Sequence, residues 1–536
     1  MIIINSLKDM LEKSGKVYGS KTAYKIRKNE NEYLEITHNE VRQMVDALGT
    51  SLVNMGLKNK KIGVIGENRY EWEIAYLSIV CGTGVVVPLD KSLPDNELKR
   101  LIERSEIEAI FYSKKYTDFF TKGKIGKLKY LISMDIKGNN DLEYSQYQLI
   151  REGNELLEKG NKEFVDAQID NKKMSIMLFT SGTTSEAKAV ALSHWNICSN
   201  LMDMSSILEI NSDDIFLSFL PLHHVFECTV GFLLALYQGA ETVFCDGIRH
   251  IPENMREYKV SVMASVPAIY ERLFKLIQKK LKEGKSIKQI HEMLGGNIKL
   301  MISGAASLDK QIEKAYRKQG FNIVQGYGLT ETSPVVAIGT KENYKEGSIG
   351  KPIPSDEVKI INSNSEGIGE LCIKGPNVML EYYQNPKATE EVLKDGWFHT
   401  GDLARIDDEG FIFICGRKKN VIVLKNGKNI FPEEIENMIN KEDGIEESFI
   451  FGKPQSEDKD NIKIFAKIIY NQEYFQNKTK DEIYEIITNK IKKINIQMPK
   501  YKAIRGIILS TEPLIKTTTN KIKREKNLER ILKEEI

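Results

Sequence analysis

Leu178–Val190 reads LFTSGTTSEAKAV. From Thr180 to Glu186, six of seven residues are Thr, Ser or Gly, and a single lysine follows at Lys188. Ser175–Phe179 (SIMLF) just before is apolar and strand-like, while HWNICSNLMDMSSIL after Ser193 has helical spacing. A small-residue loop between a strand and a helix gathers successive backbone N–H groups, and that arrangement suits an anion. Thr180, Ser181, Thr183 and Thr184 add hydroxyl donors, Gly182 lets a phosphate approach the backbone, and Lys188 supplies charge. The pattern GxxxxGK[ST] is absent, so this is not a Walker-type loop. Composition alone leaves the stretch open between a phosphate cradle and a polar connector.

Outward from this loop, strand-like and helix-like segments alternate. Lys61–Ile65, Gly84–Leu89 and Ala109–Tyr112 read as short buried strands, and Glu71–Val80 and Asp95–Glu106 as helices between them. The same texture recurs at Asp214–Leu220, Val260–Ser265, Lys299–Ile302 and Phe321–Gln325. Such alternation predicts an α/β fold with largely parallel sheets. From about Gly347, short strands and turn residues take over (SIGKPIP, EGIGELCIKG, DDEGFIFICG), which predicts a β-rich part closing a large domain. Beyond Gly416 lies a mixed segment ending in a lysine-rich run. The reading is therefore a large N-terminal α/β domain with a β-rich subdomain over 1–415, and a small mobile α+β domain over 416–536.

Length and composition set the outer limits. A chain of 536 residues exceeds one ordinary core. Its 41% hydrophobic and 28% charged content describes a soluble globular protein. A formal net charge of +2 gives no electrostatic case for nucleic acid, and Lys275–Lys288 reads as a solvated face. The six cysteines are scattered without metal-ligand spacing, as expected of free, mostly buried thiols in a reducing compartment. MIIINSLKDM lacks the basic region and long apolar run of a signal peptide, and the later apolar stretches fall short of the ~20 residues of a spanning helix. A cytoplasmic location is the expectation.

Five further stretches carry chemistry. In QGYGLTET (Gln325–Thr332), Tyr327 stands between Gly326 and Gly328, which give its ring room against a flat base. Glu331, after Thr330, is a hard oxygen ligand of the kind Mg²⁺ takes one or two of. Asp402 in HTGD (His399–Asp402) can accept hydrogen bonds from two ribose hydroxyls, and Arg417 in GRKK (Gly416–Lys419) can hold the same sugar or a phosphate. Gly304 lies in SGAAS (Ser303–Ser307), whose small residues admit a base or simply pack. Lys521, in PLIKTTTNKIKR (Pro513–Arg524), reads on its own as one of a solvated charge run.

Taken in order, these stretches resemble the adenylate-forming (AMP-binding) enzymes, whose motifs are TSGTTGxPKG, GYGxTE, TGD, GRxK and PxxKTxxGKIxR. The resemblance spans more than 300 residues of the chain, by roughly five motifs in the right order. It implies ATP, Mg²⁺ and coenzyme A as cofactors, with Thr180 and Glu331 on the metal side. It makes Thr330 catalytic, and gives Lys521 the role of contacting the reacting carboxylate and the α-phosphate. In PLHHVFE (Pro221–Glu227) it selects His224 over His223 as gate and orienter of the acyl carboxylate. Gly427, in the Asn426–Asn429 turn, would face the acceptor thiol after the small domain swings about a hinge near Lys419.

Four stretches, Gly66–Asp90, Pro221–Glu227, Ser265–Phe274 and Ser303–Lys310, are most similar to long-chain fatty acid–CoA ligases. The implied reaction joins a medium- or long-chain fatty acid to CoA through acyl-AMP, releasing pyrophosphate and AMP. A fatty substrate also allows weak peripheral membrane contact. Two alternatives stand beside it: an acyl carrier protein as the thiol partner, and a nucleotide-binding protein that has lost catalysis. The second rests on departures at Ser185, Ala187, Ala189 and Asn520. Every polar residue with an implied role is nonetheless kept.

Overall fold

In a computed structural model, residues 2–29, 32–180, 187–425, 428–455, 458–517 and 521–534 are described. The chain forms two compact units. One comprises 1–180, 188–358 and 373–398; the other comprises 181–187, 359–372 and 399–536.

Two sheets organise the first unit. In an eight-stranded sheet, Lys60–Ile65 lies parallel between Gly84–Pro88 and Ala109–Tyr112. Residues 62–65 are buried without alternation, as a strand covered on both faces requires. Met174–Thr180 joins in parallel through Val86↔Ile176. The nine-stranded sheet has Ile215–Ser218, Val262–Ser265, Leu300–Ser303 and Ile323–Gly328 as successive parallel neighbours. The helix after Lys188–Ser193 starts on a side-chain cap: Ser193 accepts from Asn196 N while the Asn196 side chain accepts from Ser193 N. The helix expected over Glu71–Val80 runs Tyr70–Ser78 and passes into a buried π-turn, Ile79–Thr83.

The opening stretch departs from expectation in one respect. Its loop joins strand to strand, because Lys188–Ser193 forms an antiparallel partner of Met174–Thr180, with Thr180↔Lys188 and Leu178↔Val190 in register. The helix His194–Ile207 starts only after that second strand. The expected strand-to-helix connection is therefore a strand-to-strand one. The physical reason lies in KAVALS, where a β-branched valine and small alanines fit the crowded middle of a sheet.

The second unit holds the hairpin of Trp397–Ile406 with Ile412–Arg417 from His399 onward, and a three-stranded sheet of Ile445–Gln455, Asp458–Tyr470 and Ile504–Ser510. Helix Lys480–Gln497 packs on that sheet through Ile483, Ile487, Ile491 and Ile494, one every three or four residues. All six cysteines are free; four are buried and Cys245 and Cys415 half-buried.

Candidate active site

The first unit's candidate residues collect at the carboxyl ends of its parallel strands, where open α/β sheets bind ligands. Thr180 ends one strand, Gly304 follows Leu300–Ser303, and Gly326–Gly328 end another. His224 follows Ile215–Ser218, and Asp90 follows Gly84–Pro88.

At the phosphate-loop hairpin, Thr180 Oγ1 donates to the Lys188 carbonyl at 3.3 Å, pinning the hairpin's mouth. Ser181, Gly182, Thr183 and Thr184, with Ser185, lie outside the described residues. The Lys188 ammonium stands 4.4 Å from the centroid of the Tyr382 ring. That same tyrosine donates its hydroxyl to Glu331 Oε1 at 2.7 Å. One aromatic side chain thus touches both the loop lysine and the carboxylate expected to face metal. Tyr382 was not legible in the sequence. Its only local mark is a tyrosine pair before Gln-Asn-Pro, and its partners come from distant segments.

The segment carrying Tyr382 is tied down on both sides. Met379 N donates to the Glu331 carbonyl at 2.8 Å, and Leu380 N and Tyr383 N donate to Ala191 and Ala189 carbonyls at 3.0 and 2.7 Å. Glu381↔Ala191 and Tyr382↔Val190 are in register. Thr330–Thr332 forms a single 3₁₀ turn, with Thr330 and Glu331 half-buried and Thr332 fully buried. Among the described residues no cluster of three or more His, Cys, Asp or Glu side chains gathers as a metal cage. The residues fit Mg²⁺ on its own terms, since that ion keeps most of its waters and takes one or two carboxylates. Glu331 offers one, with Oε1 oriented by Tyr382.

Around Tyr327 the glycines have separate reasons. A Cβ on Gly328 would lie 1.8 Å from the Pro334 carbonyl oxygen, so close backbone approach demands that glycine. At Gly326 a Cβ would sit 3.7 Å from the Ala337 carbonyl and the Ile338 side chain, in ordinary contact, so backbone crowding does not demand that glycine. Gly304 admits the Phe226 ring, which a Cβ would meet at 2.8 Å, and Ala305 beyond it has φ +66°. A non-glycine residue in that region is strained, as side chains at ligand sites often are. Gln325 is used internally: its Nε2 donates to Glu313 Oε2 at 2.9 Å and its Oε1 accepts from Leu308 N at 2.9 Å.

The two histidines divide their work. The His223 and His224 rings are 4.1 Å apart, and His223 Nε2 lies 3.3 Å from Asp90 Oδ1 without a hydrogen bond. Glu227, one turn on, is 1% exposed and accepts from Ser218 Oγ at 2.7 Å. Burial pushes its pKa up to about 8, against the Ser218 hydroxyl, the Phe219 amide and the Lys91 charge.

In the second unit, Asp402 and Arg417 face each other across the hairpin as an ion pair, with Arg417 Nε 2.7 Å from Asp402 Oδ1. Asp402 N donates to Thr400 Oγ1 at 3.0 Å, which donates in turn to the Leu371 carbonyl at 2.8 Å. Glu370 is the residue the sequence hid here. Its carboxylate accepts from Gly401 N at 3.2 Å and from Lys418 Nζ at 2.9 Å. Burial would raise its pKa, but Lys418 and His399 carry it below the usual carboxylate value. Lys521 is exposed at the end of a short hairpin: Thr517 N donates to its carbonyl at 2.8 Å, its own N donates to Thr517 Oγ1 at 3.1 Å, and Lys516 bridges Ile522. Gly427 and Asn520 lie outside the described residues.

In the first unit a lysine and a carboxylate meet on one tyrosine, and the second unit carries a basic C-terminal hairpin. The chain belongs to the AMP-binding enzyme family: residues 11–383 match the AMP-binding enzyme model and 419–536 its C-terminal domain. It is 28% identical over 557 residues to long-chain-fatty-acid–CoA ligase 5 of Mus musculus, covering 91% of this chain and 81% of that one. It is 32% identical over 317 residues to a long-chain-fatty-acid–CoA ligase of Salmonella typhimurium, covering 57% and 54%. The crystal structure of the anthranilate CoA ligase AuaEII with anthranoyl-AMP superposes with a TM-score of 0.81 at 20% identity, over 100% of this chain and 99% of that one.

Proposed function

We propose that this AMP-forming acid–thiol ligase activates a medium- or long-chain fatty acid and transfers it to coenzyme A. In the first half-reaction a carboxylate oxygen attacks the α-phosphorus of ATP, and the bond to the β-phosphate oxygen breaks, giving acyl-AMP and pyrophosphate. In the second, the CoA sulfur attacks the acyl carbon, and the carbon–oxygen bond to AMP breaks. Lys188 and the 180–184 hydroxyls hold phosphate, and Thr330 and Lys521 stabilise charge building on the α-phosphoryl oxygens. His224 orients the acyl carboxylate. Gly304, Gly326, Tyr327 and Gly328 bound the adenine, with Gln325 beneath them, and Asp402 and Arg417 take the ribose. Mg²⁺, held through Glu331 and the Thr180 side, would neutralise the departing pyrophosphate.

The observation that carries this reading is the Lys188–Tyr382–Glu331 contact, which joins the two motifs an adenylation centre needs. The names of the relatives support the fatty substrate. We place the moving domain at 416–536, with its hinge near Lys419 and Gly427 facing the thiol. Free thiols suit a cytoplasmic setting. An ATP-to-AMP assay across acids from acetate to palmitate, with and without CoA, tests the function. Thioester and AMP should appear together with the longer acids. AMP release with no thioester would point instead to an acyl carrier protein, and no AMP with any acid would mean that catalysis is lost.

A surface feature supports peripheral membrane contact. No helix among the described residues is long and apolar enough to cross a membrane. A groove of about 500 Å³ lies between Ile251–Tyr258 and Pro267–Lys282, with Leu273 and Leu276 in its floor and Arg249, Arg256 and Arg272 on its rim. None of the three arginines makes an ion pair or side-chain hydrogen bond among the described residues. Ile248 beside them is 52% exposed. Apolar floor, exposed isoleucine and unpaired guanidinium groups complement an anionic phospholipid surface.

A further inference from the structure

Lys188 and Glu331 carry opposite charges and both touch Tyr382, one at its ring and one at its hydroxyl. Among the described residues they form no ion pair with each other. A direct salt bridge would neutralise both groups, and neither charge would then be available to phosphate or metal. The tyrosine gives each a weaker partner. A ring face attracts an ammonium more weakly than a full negative charge does, so a phosphate can displace it. A phenolic O–H occupies one carboxylate oxygen and leaves the charge in place.

Tyr382 is itself tied in place. It is 4% exposed, its N donates to Thr389 Oγ1 at 3.0 Å, and its carbonyl accepts from Asn385 N at 2.9 Å. The neighbouring backbone is bonded to the Lys188 strand on one side and to the Glu331 carbonyl on the other. Any movement of this ring would therefore move both charged groups.

We propose that Tyr382 is a two-sided positioning residue of the adenylation site, keeping Lys188 and Glu331 apart and each poised for its own ligand. The inference rests on the adenylation reading. It goes beyond that reading in assigning separate tasks to the ring and the hydroxyl.

Calorimetric ATP binding, with and without Mg²⁺ and without any carboxylic acid, separates the two tasks and needs no turnover. Tyr382→Phe keeps the ring and removes the hydroxyl. It should weaken Mg²⁺-dependent ATP binding about tenfold, the scale of a lost hydrogen bond to a charged group, and leave Mg²⁺-free binding at the wild-type value. Tyr382→Leu removes both and should also weaken Mg²⁺-free binding, roughly three- to fivefold. In a Glu331→Gln background the Phe substitution should have no Mg²⁺-dependent effect. A core tyrosine without this role would lower the thermal midpoint in every variant and leave the Mg²⁺ dependence untouched; that outcome overturns the proposal. A wild-type protein that binds no ATP would instead overturn the adenylation reading itself.

Discussion

Arg417 Nε lies 2.7 Å from Asp402 Oδ1 in an ion pair, and the two residues are register partners across one hairpin. The aspartate side chain is 6% exposed and the arginine side chain 40%, so the pair has one dry end and one wet end. Arg417 also donates from Nη1 to the Thr400 carbonyl at 3.2 Å, bracing the turn that carries Asp402. The arginine therefore aims the aspartate as well as contributing its own charge.

Removing it should act on both stability and nucleotide binding. Arg417→Ala leaves the Asp402 carboxylate without its guanidinium partner, and should destabilise the protein by about 2 kcal/mol in urea unfolding. Its KM for ATP should rise by roughly tenfold, one lost charge-assisted hydrogen bond. Arg417→Lys should recover part of the stability and little of the KM, because an ammonium cannot reach both Asp402 and Thr400 in a fork. If both variants bind ATP like wild type, the pair is structural.

Lys521 offers a cleaner kinetic separation. It is exposed on a hairpin held by Thr517 and by Lys516↔Ile522, so truncating its side chain should spare the fold. Lys521→Ala should slow pyrophosphate release by ~10²–10³, the usual loss for one transition-state donor. Thioester formation from supplied acyl-AMP should continue near the wild-type rate. Pyrophosphate release that survives the substitution would remove Lys521 from the reaction.

The difference between what could and could not be read in advance has a physical cause. The strands Lys60–Ile65 and Ala109–Tyr112 announced themselves, because burial on both faces writes an unbroken apolar run. The strand Lys188–Ser193 was hidden, because its lysine and alanines carry little β signal and sheet pairing decides their state. Motif residues such as Glu331 and Asp402 stood out by their order along the chain. Tyr382, Glu370 and Asp90 did not, since each acts on a residue brought near only by the fold. Gln325 shows the reverse: it lies within a motif, yet its amide is bonded to Glu313 and Leu308.

Glu227 gives the fold a pH dependence of definite sign. Its pKa is about 8 in the folded chain against an ordinary 4.5, chiefly because burial disfavours the charged form. Between those values the folded state keeps a proton that the unfolded state releases, so stability falls as pH rises from about 4.5 to about 8. Glu227→Gln retains an acceptor for the Ser218 hydroxyl and removes the titration. Its urea midpoint should sit close to wild type at pH 5 and above it at pH 8. Parallel pH profiles for the two proteins would exclude Glu227 as a contributor.

The arginine-rimmed groove makes a prediction independent of catalysis. If it meets an anionic lipid surface, the protein should sediment with vesicles containing phosphatidylglycerol and remain in solution with phosphatidylcholine alone. Added salt should release it, because exposed charges are screened within about 10 Å at 0.1 M. Each basic residue near such a surface contributes about 1 kcal/mol, so Arg249→Glu with Arg272→Glu should weaken vesicle binding by at least roughly thirtyfold. Ile248→Asp should weaken it at constant basic charge on the rim, by removing the exposed apolar contact. ATP-dependent ligation of a short soluble acid should be unchanged in both variants, since none of the candidate site residues lines the groove. Equal binding to neutral and anionic vesicles, or charge-reversed variants that still sediment, would leave the groove without a lipid role.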